Sequence, residues 1–122
     1  MKLFVYGTLK NIFRNEMNNP TAPMQNVKLV GKYETKERWT LADFGPYPGM
    51  IPGNSGVVGE LWEVPDDRMT QLDRYEGVPN LFRRCDVEVA PVGSEDYEWV
   101  ESYVFTNTSQ LLTYDNTMRE WI

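Results

Sequence analysis

Apolar residues occur along much of this chain in short runs or in alternation with polar residues, a pattern typical of β-strands. The segment from Val57 to Val64 shows it most clearly, because every second side chain there would face the same side of a sheet. Segments rich in Gly and Pro separate the runs and predict turns at 45–49 and 52–56. The predicted strands are residues 2–6, 27–33, 39–44, 57–64, 82–90 and 99–106.

A different spacing begins after Pro65 and predicts one main helix. Two acidic residues follow this proline and suit the first turn of a helix, where negative charge is favourable. The apolar residues Met69, Leu72 and Tyr75 then recur every third position, so one face of the helix is expected to pack inward. Gly77 is typical of the position just beyond a helix end, and we expect the helix to stop there.

Two stretches carry little apolar pattern. Residues 11–26 are polar and contain two prolines, which predicts a long loop with a helical turn around Ile12 to Met17. A loop of this length in a small domain is often functional or mobile. After Asn107 the weak apolar spacing fits either a short helix or an extended tail.

These elements predict one α+β domain spanning residues 1–122. Most neighbouring strands are joined by turns too short for a parallel crossover, and 82–90 with 99–106 is predicted to form an antiparallel hairpin. About six such strands favour a mixed, strongly twisted sheet that closes into a small β-barrel, because closure removes exposed strand edges. The main helix is expected to pack against this barrel.

Charge and composition narrow the possible partners. The chain of 122 residues has a formal net charge of −6, which argues against a nucleic-acid partner. No apolar run approaches the ~18 residues that a membrane span needs, and no signal-peptide pattern is present. The single cysteine, Cys85, excludes an internal disulfide and fits a reducing compartment. We therefore expect a cytoplasmic protein with no membrane partner.

The chain contains no histidine. This excludes a histidine-based catalytic triad and any metal site that uses histidine ligands. Clusters of cysteine are missing as well, so no metal is expected. In an enzyme of this sequence, proton transfer would have to be carried out by Glu, Asp, Tyr or Lys.

Glu76 is the strongest candidate for that role. It lies at the end of the predicted helix, where the helix dipole disfavours a carboxylate, and its neighbours Leu72, Tyr75 and Val78 are apolar or aromatic. Both effects would raise its pKa toward the range of a general base. The alternative is an exposed surface glutamate that merely precedes a glycine. Asp73, in the same segment, is predicted either to be solvated or to pair with a neighbouring loop.

The run Tyr6-Gly7-Thr8-Leu9 follows the first predicted strand and is a candidate binding loop. A glycine at a strand end lets the backbone bend, so that several N–H groups converge and can bind an anion. Thr8 adds a hydroxyl donor. The alternative is an ordinary tight turn.

Further side chains could complete a pocket. Tyr47 and Gly49 lie in a predicted turn, where an aromatic residue can form a pocket wall. Arg83 and Tyr103 lie on the predicted hairpin and would reach a site if they face inward. Phe82 is expected to pack in the core.

Taken together, these segments resemble the gamma-glutamylcyclotransferase-like family, also called the AIG2-like family. The matching motifs occur in order through nearly the whole chain, which makes the resemblance specific for the family, although less so for one substrate. One departure is Phe82, where family members often carry a tyrosine. The motifs are Val5-Tyr6-Gly7-Thr8-Leu9, Tyr47-Pro48-Gly49, Val58-Gly59-Glu60-Leu61-Trp62-Glu63-Val64, Leu72-Asp73-Arg74-Tyr75-Glu76-Gly77, Arg83 and Tyr103-Val104-Phe105.

The resemblance implies the gamma-glutamylcyclotransferase-like barrel fold, a substrate-binding loop at Tyr6 to Leu9, and Glu76 as the catalytic acid and base. It implies an enzyme without cofactor that releases 5-oxoproline and a free amine from a small gamma-glutamyl amine or amide. Two alternatives stay open. One is a non-catalytic small-molecule-binding or regulatory domain of the same fold, and the other is a structural or interaction protein without a pocket joining the two segments.

Overall fold

The computed structural model describes residues 1–17, 27–106 and 117–121. Within these ranges the chain forms eight strands, two helices and one short 3-10 turn, Asp66–Arg68. The helices are α1 (Leu9–Met17) and α2 (Met69–Tyr75). The strands are β1 (Lys2–Val5), β2 (Lys28–Thr35), β3 (Trp39–Asp43), β4 (Pro48–Pro52), β5 (Val58–Glu63), β6 (Phe82–Pro91), β7 (Glu98–Phe105) and β8 (Thr117–Met118).

Five of these strands close into a barrel in the order β1-β5-β2-β6-β7. The barrel closes where β7 pairs with β1 in parallel, whereas the other neighbouring strands run antiparallel. β6 and β7 form the predicted hairpin, with Phe82 opposite Phe105. The predicted small mixed barrel with an α+β architecture is therefore confirmed.

The remaining strands form a separate sheet in the order β4-β3-β8, so the expectation that all strands join one sheet was wrong. The predicted turn at 45–49 is also shorter than expected, because Pro48 and Gly49 already belong to β4. β4 lies at the edge of its sheet, where a proline removes no hydrogen bond from the ladder. At the C-terminal end the chain is extended in β8, while residues 107–116 lie outside the described ranges.

α1 replaces the first part of the predicted loop. The helix begins at Leu9, whereas the sequence predicted only a helical turn from Ile12. Leu9 and Phe13 lie one turn apart and are buried, and the Phe13 ring centroid is 5.5 Å from that of Trp62. The polar residues on the opposite face obscured this amphipathic spacing. Residues 18–26 of the predicted loop lie outside the described residues.

Strand alternation divides the core into two apolar clusters. Phe4 and Leu61 belong to one cluster, and their sequence neighbours Leu3 and Trp62 belong to the other. The second cluster also contains buried side chains from α1 and α2. Both helices are therefore held against the same set of strand residues, which fixes the start of α1 and the end of α2 relative to the barrel.

α2 ends where the sequence predicts. Gly77 has φ +68°, a left-handed conformation that favours glycine, and its N–H donates to the Arg74 carbonyl at 3.1 Å. The expected inward face is only partly correct, since Leu72 is buried while Tyr75 is 59% exposed. Neither described helix is long and apolar enough to cross a membrane.

Candidate active site

A cavity of about 310 Å³ opens where the end of β1, the turn before β4, the end of α2 and the start of β6 meet. This volume lies at the lower end of the ~300–1,000 Å³ range of small-molecule sites. The residues that line the cavity are Phe4, Val5, Tyr6, Gly7, Thr8, Leu9, Pro46, Tyr47, Pro48, Tyr75, Glu76, Leu81, Phe82 and Tyr103.

The cavity brings together most of the candidate residues, namely those from Tyr6 to Leu9 with Tyr47, Glu76 and Tyr103. Gly49 and Arg83 are not among its lining residues, which corrects the expectation that they form part of the wall. Arg83 is exposed because it follows the buried Phe82 on a strand, where successive side chains face opposite ways.

Backbone N–H groups between β1 and α1 have no acceptor in the described structure, and the residues that carry them line this cavity. The Gly7 carbonyl accepts from the Lys10 N–H at 3.0 Å, and the Thr8 carbonyl accepts from the Ile12 N–H at 3.2 Å. Among the described residues, none accepts a hydrogen bond from the N–H groups of Gly7, Thr8 or Leu9. These groups lie at the first turn of α1, where free N–H donors and the helix dipole both favour an anion.

Gly7 also lets this loop approach the opposite wall. A Cβ atom at this position would lie 3.0 Å from Pro48 Cγ, so a larger residue would crowd the first residue of β4. The φ of Gly7 is not in the left-handed region, so close packing, and not the bend, favours glycine here.

Glu76 directly follows α2, and its N–H donates to the Leu72 carbonyl at 2.9 Å. In the described part of the chain no side chain pairs with or donates to its carboxylate. Burial raises the pKa of Glu76 from an ordinary value of 4.5 to about 7, the direction expected from its apolar neighbours. A carboxyl group with this pKa can both accept and return a proton near neutral pH.

The hydroxyl groups of the two buried tyrosines are engaged within the protein. The Tyr6 hydroxyl donates to the Tyr103 carbonyl at 2.6 Å and accepts from the Met50 N–H at 3.2 Å. The Tyr103 hydroxyl donates to Asp73 Oδ1 at 2.7 Å. Burial raises the pKa of both phenols above their usual range, so neither is suited to give up a proton. Both tyrosines thus shape the cavity and hold its walls together.

Asp73 ties the last turn of α2 to the barrel. Besides accepting from Tyr103, its carboxylate lies 3.1 Å from Arg84 Nε on β6, and Arg84 also lies 3.1 Å from Glu101 on β7. The sequence predicted that Asp73 would be solvated or pair with a loop, whereas its partners are on two strands. Because Glu76 follows three residues later, these contacts hold its backbone beside the cavity.

One wall of the cavity is aromatic. The ring centroids of Tyr47 and Phe82 are 6.2 Å apart, and Phe44 and Phe105 pack behind them. A Cβ atom on Gly49 would lie 2.3 Å from Phe44 Cε2, so the absence of a side chain there makes room for the ring. Gly49 therefore supports the wall from behind without lining the cavity.

Several lining residues were not predicted as part of a site. Pro48 lies between Tyr47 and Gly49, and its motif could have identified it. Tyr75 was assigned to the inward face of the helix by its spacing, although its ring lies at the cavity mouth. Nothing in the sequence around Leu81 distinguishes it. The described residues contain no group of three or more His, Cys, Asp or Glu side chains that could hold a metal ion.

Known proteins resemble this chain in sequence and in fold. The family model described as gamma-glutamyl cyclotransferase, AIG2-like, matches residues 3–122. A Vibrio cholerae protein, named provisionally as a gamma-glutamylcyclotransferase, is 37% identical over 109 residues, which cover 89% of this chain and 85% of the relative. A Niallia circulans protein named gamma-L-glutamyl-butirosin B gamma-glutamyl cyclotransferase is 32% identical over 120 residues, covering 91% and 70%.

The crystal structure of an AIG2-like protein from Mus musculus has the same fold, with a TM-score of 0.71 at 24% identity over 99% of this chain and 87% of the other. The family match spans nearly the whole chain, and four of the six motifs that carry the resemblance contribute residues to the lining of one cavity. On this evidence the chain belongs to the gamma-glutamyl cyclotransferase, AIG2-like family.

Proposed function

We propose that this protein is a gamma-glutamyl cyclotransferase that converts a small γ-glutamyl amide into 5-oxoproline and a free amine. The observation that carries the proposal is the position of Glu76, which shares one cavity with the unpaired N–H groups of Gly7, Thr8 and Leu9. A proton acceptor and an anion site are the two features that the reaction needs from the protein.

The substrate carries an α-carboxylate and an α-ammonium group at the same carbon. None of the described residues that line the cavity is Lys or Arg, so the α-carboxylate is assigned to the N–H groups at the first turn of α1. The Thr8 hydroxyl supplies a further donor on the same side. Binding there places the α-ammonium group toward the carboxylate of Glu76.

The reaction begins when Glu76 takes a proton from the α-ammonium group. The pKa of Glu76 is about 7, and that of a free α-amino group is ~8, so this transfer costs little. The freed amine attacks the γ-carbonyl carbon of the same glutamyl residue and forms the five-membered ring. Since nucleophile and electrophile are in one molecule, the protein lowers the barrier largely by holding the cyclising conformation.

Collapse of the tetrahedral intermediate completes the reaction. The proton held by Glu76 passes to the leaving nitrogen, and the bond to that nitrogen breaks as the carbonyl re-forms. The second proton of the ring nitrogen then passes through Glu76 to the released amine, which departs as an ammonium ion. The products are 5-oxoproline and the amine, and no water or other co-reactant is consumed. Backbone N–H groups of the Gly7 loop are suited to stabilise the developing oxyanion.

The test is detection of 5-oxoproline by mass spectrometry after incubation with a panel of γ-glutamyl compounds. We expect product from the wild type and at least about 10²-fold less from Glu76→Gln, which keeps the shape of the side chain but cannot accept the proton. Glu37→Gln, which changes an exposed glutamate away from the cavity, is the matched control. Binding without product in the wild type would instead support a non-catalytic binding domain.

A further inference from the structure

The part of the cavity not needed for the glutamyl group is apolar. Its walls there are formed by Tyr47, Leu81 and Phe82, with Pro46 and Tyr75 at the same opening. A γ-glutamyl group is smaller than the cavity of about 310 Å³, so the amine portion of the substrate also lies against these walls. The chemistry of this wall therefore bears on which amine can leave.

The aromatic rings of this wall are held in place before any ligand binds. The centroids of Phe44 and Phe105 are 4.4 Å apart, and Phe82 lies 5.5 Å from Phe105. Tyr47 lies 5.8 Å from Phe44, so all four rings pack as one unit. Phe82 is 3% exposed and carries no hydroxyl, and it presents only carbon and hydrogen to the cavity.

The charged groups near the cavity are paired with other side chains, exposed to solvent, or assigned to the proposed reaction. Arg84 is paired with Asp73 and Glu101, at 3.1 Å in each case, and Arg83 faces solvent. Among the described residues Glu76 is the only charged one that lines the cavity, and the proposed reaction assigns it to the α-ammonium group. A charge on the amine portion that lies against Tyr47, Leu81 and Phe82 would lose part of its hydration without a counter-charge among the described wall residues, which is unfavourable.

We infer that the leaving nitrogen carries an uncharged, apolar substituent, so that the released amine is of the alkylamine or arylalkylamine class, and that Tyr47, Leu81 and Phe82 select it. The ring faces of Tyr47 and Phe82 also attract cations. An ammonium group loses more from dehydration, however, and its natural partner Glu76 is occupied. A carboxylate would meet both the negative ring faces and the Glu76 carboxylate. This inference rests on the proposed cyclotransferase function.

The test compares three substrates of equal chain length that differ only at the end of the amine. They are γ-glutamyl butylamine, γ-glutamyl putrescine and γ-glutamyl γ-aminobutyrate, which end in a methyl group, an ammonium and a carboxylate. Release of 5-oxoproline by the wild type gives kcat/KM for each. We expect kcat/KM for the butylamine compound to exceed that for each charged compound by at least about tenfold.

A substitution in the wall sharpens this test. Leu81 is half-buried, and Leu81→Glu places a carboxylate among the apolar residues. It should reduce the preference for butylamine over putrescine by about tenfold or more. Val92→Glu makes the same change at a 49% exposed position outside the cavity and should leave the preference unchanged. If Leu81→Glu does not fold, the kcat/KM values of the wild type for the three substrates still test whether the wall selects an apolar amine.

The outcomes separate the two proposals. If either charged compound reacts as fast as the butylamine compound or faster, the cyclotransferase function survives and the apolar selection is refuted. If none of the three compounds, nor any γ-glutamyl amino acid, yields 5-oxoproline, the proposed function itself is refuted and the inference with it.

Discussion

The buried carboxyl group of Glu76 makes a prediction about folding stability that needs no substrate. Its pKa is about 7 in the folded protein against an ordinary value of 4.5 in the unfolded chain. A raised carboxyl pKa means that the group ionises less readily in the folded protein than in the unfolded chain. At a pH where the unfolded chain is ionised and the folded protein is not, this difference lowers the free energy of unfolding. Glu76→Gln removes this effect and keeps a side chain of similar shape.

The magnitude follows from the two pKa values. Below pH 4.5 the carboxyl group is protonated in both states, so ionisation of Glu76 makes no difference to stability. Between this value and pH ~7 only the unfolded chain ionises, and each pH unit costs the folded state about 1.4 kcal/mol. Above pH ~7 the loss is complete at about 3–4 kcal/mol, which partial contact of the carboxyl group with solvent reduces to about 2–3 kcal/mol.

The assay is urea denaturation of wild type and Glu76→Gln at several pH values from 4 to 8.5, followed by tryptophan fluorescence. We expect the free energy of unfolding of the variant, relative to wild type, to rise by about 2–3 kcal/mol across this range. Glu37→Gln removes an exposed carboxylate and corrects for the general effect of charge. A difference between Glu76→Gln and wild type that stays constant with pH would refute the reasoning.

Three further predictions concern the same site. In the wild type, kcat/KM for 5-oxoproline release should rise with pH through about 7, because Glu76 must be ionised to accept the proton, and the pH–rate profile checks this. Asp73→Asn should lower the free energy of unfolding by about 1–3 kcal/mol in urea titration, since the Tyr103 hydroxyl loses a charged acceptor. Gly49→Ala should destabilise by about 1–3 kcal/mol, because its Cβ would overlap Phe44, and a lower melting temperature reports the loss.

The structure shows why the strands and the main helix could be predicted while their assembly could not. The strand at Val58–Glu63 and the helix stop at Gly77 depend on neighbours in the chain, and both occur as expected. α1 was missed because only Leu9 and Phe13 mark its buried face within a polar segment. The division into a barrel and a second sheet depends on which strands meet across the fold, and no local pattern encodes that choice.

In the candidate site, too, the sequence identified local segments but not the contacts that individual side chains make across the fold. The motifs at Tyr6 to Leu9 and at Glu76 identified the two segments that share the cavity. The sequence did not reveal that the Tyr6 hydroxyl is engaged by the Tyr103 carbonyl, 97 residues away, or that Leu81 joins the wall. Arg83 was expected to reach the pocket if its side chain faced inward, but Phe82 takes the inward position and Arg83 is exposed to solvent.

By itself, the sequence determined the residue types available for chemistry and the local backbone that presents them. Without histidine, a carboxyl group was a natural proton acceptor, and the glycine after the first strand marked a candidate binding loop. Only the tertiary structure decided that these groups share one cavity and that an aromatic wall faces them. It also decided how far the Glu76 pKa rises, because burial depends on the removal of water by segments that are distant in the chain.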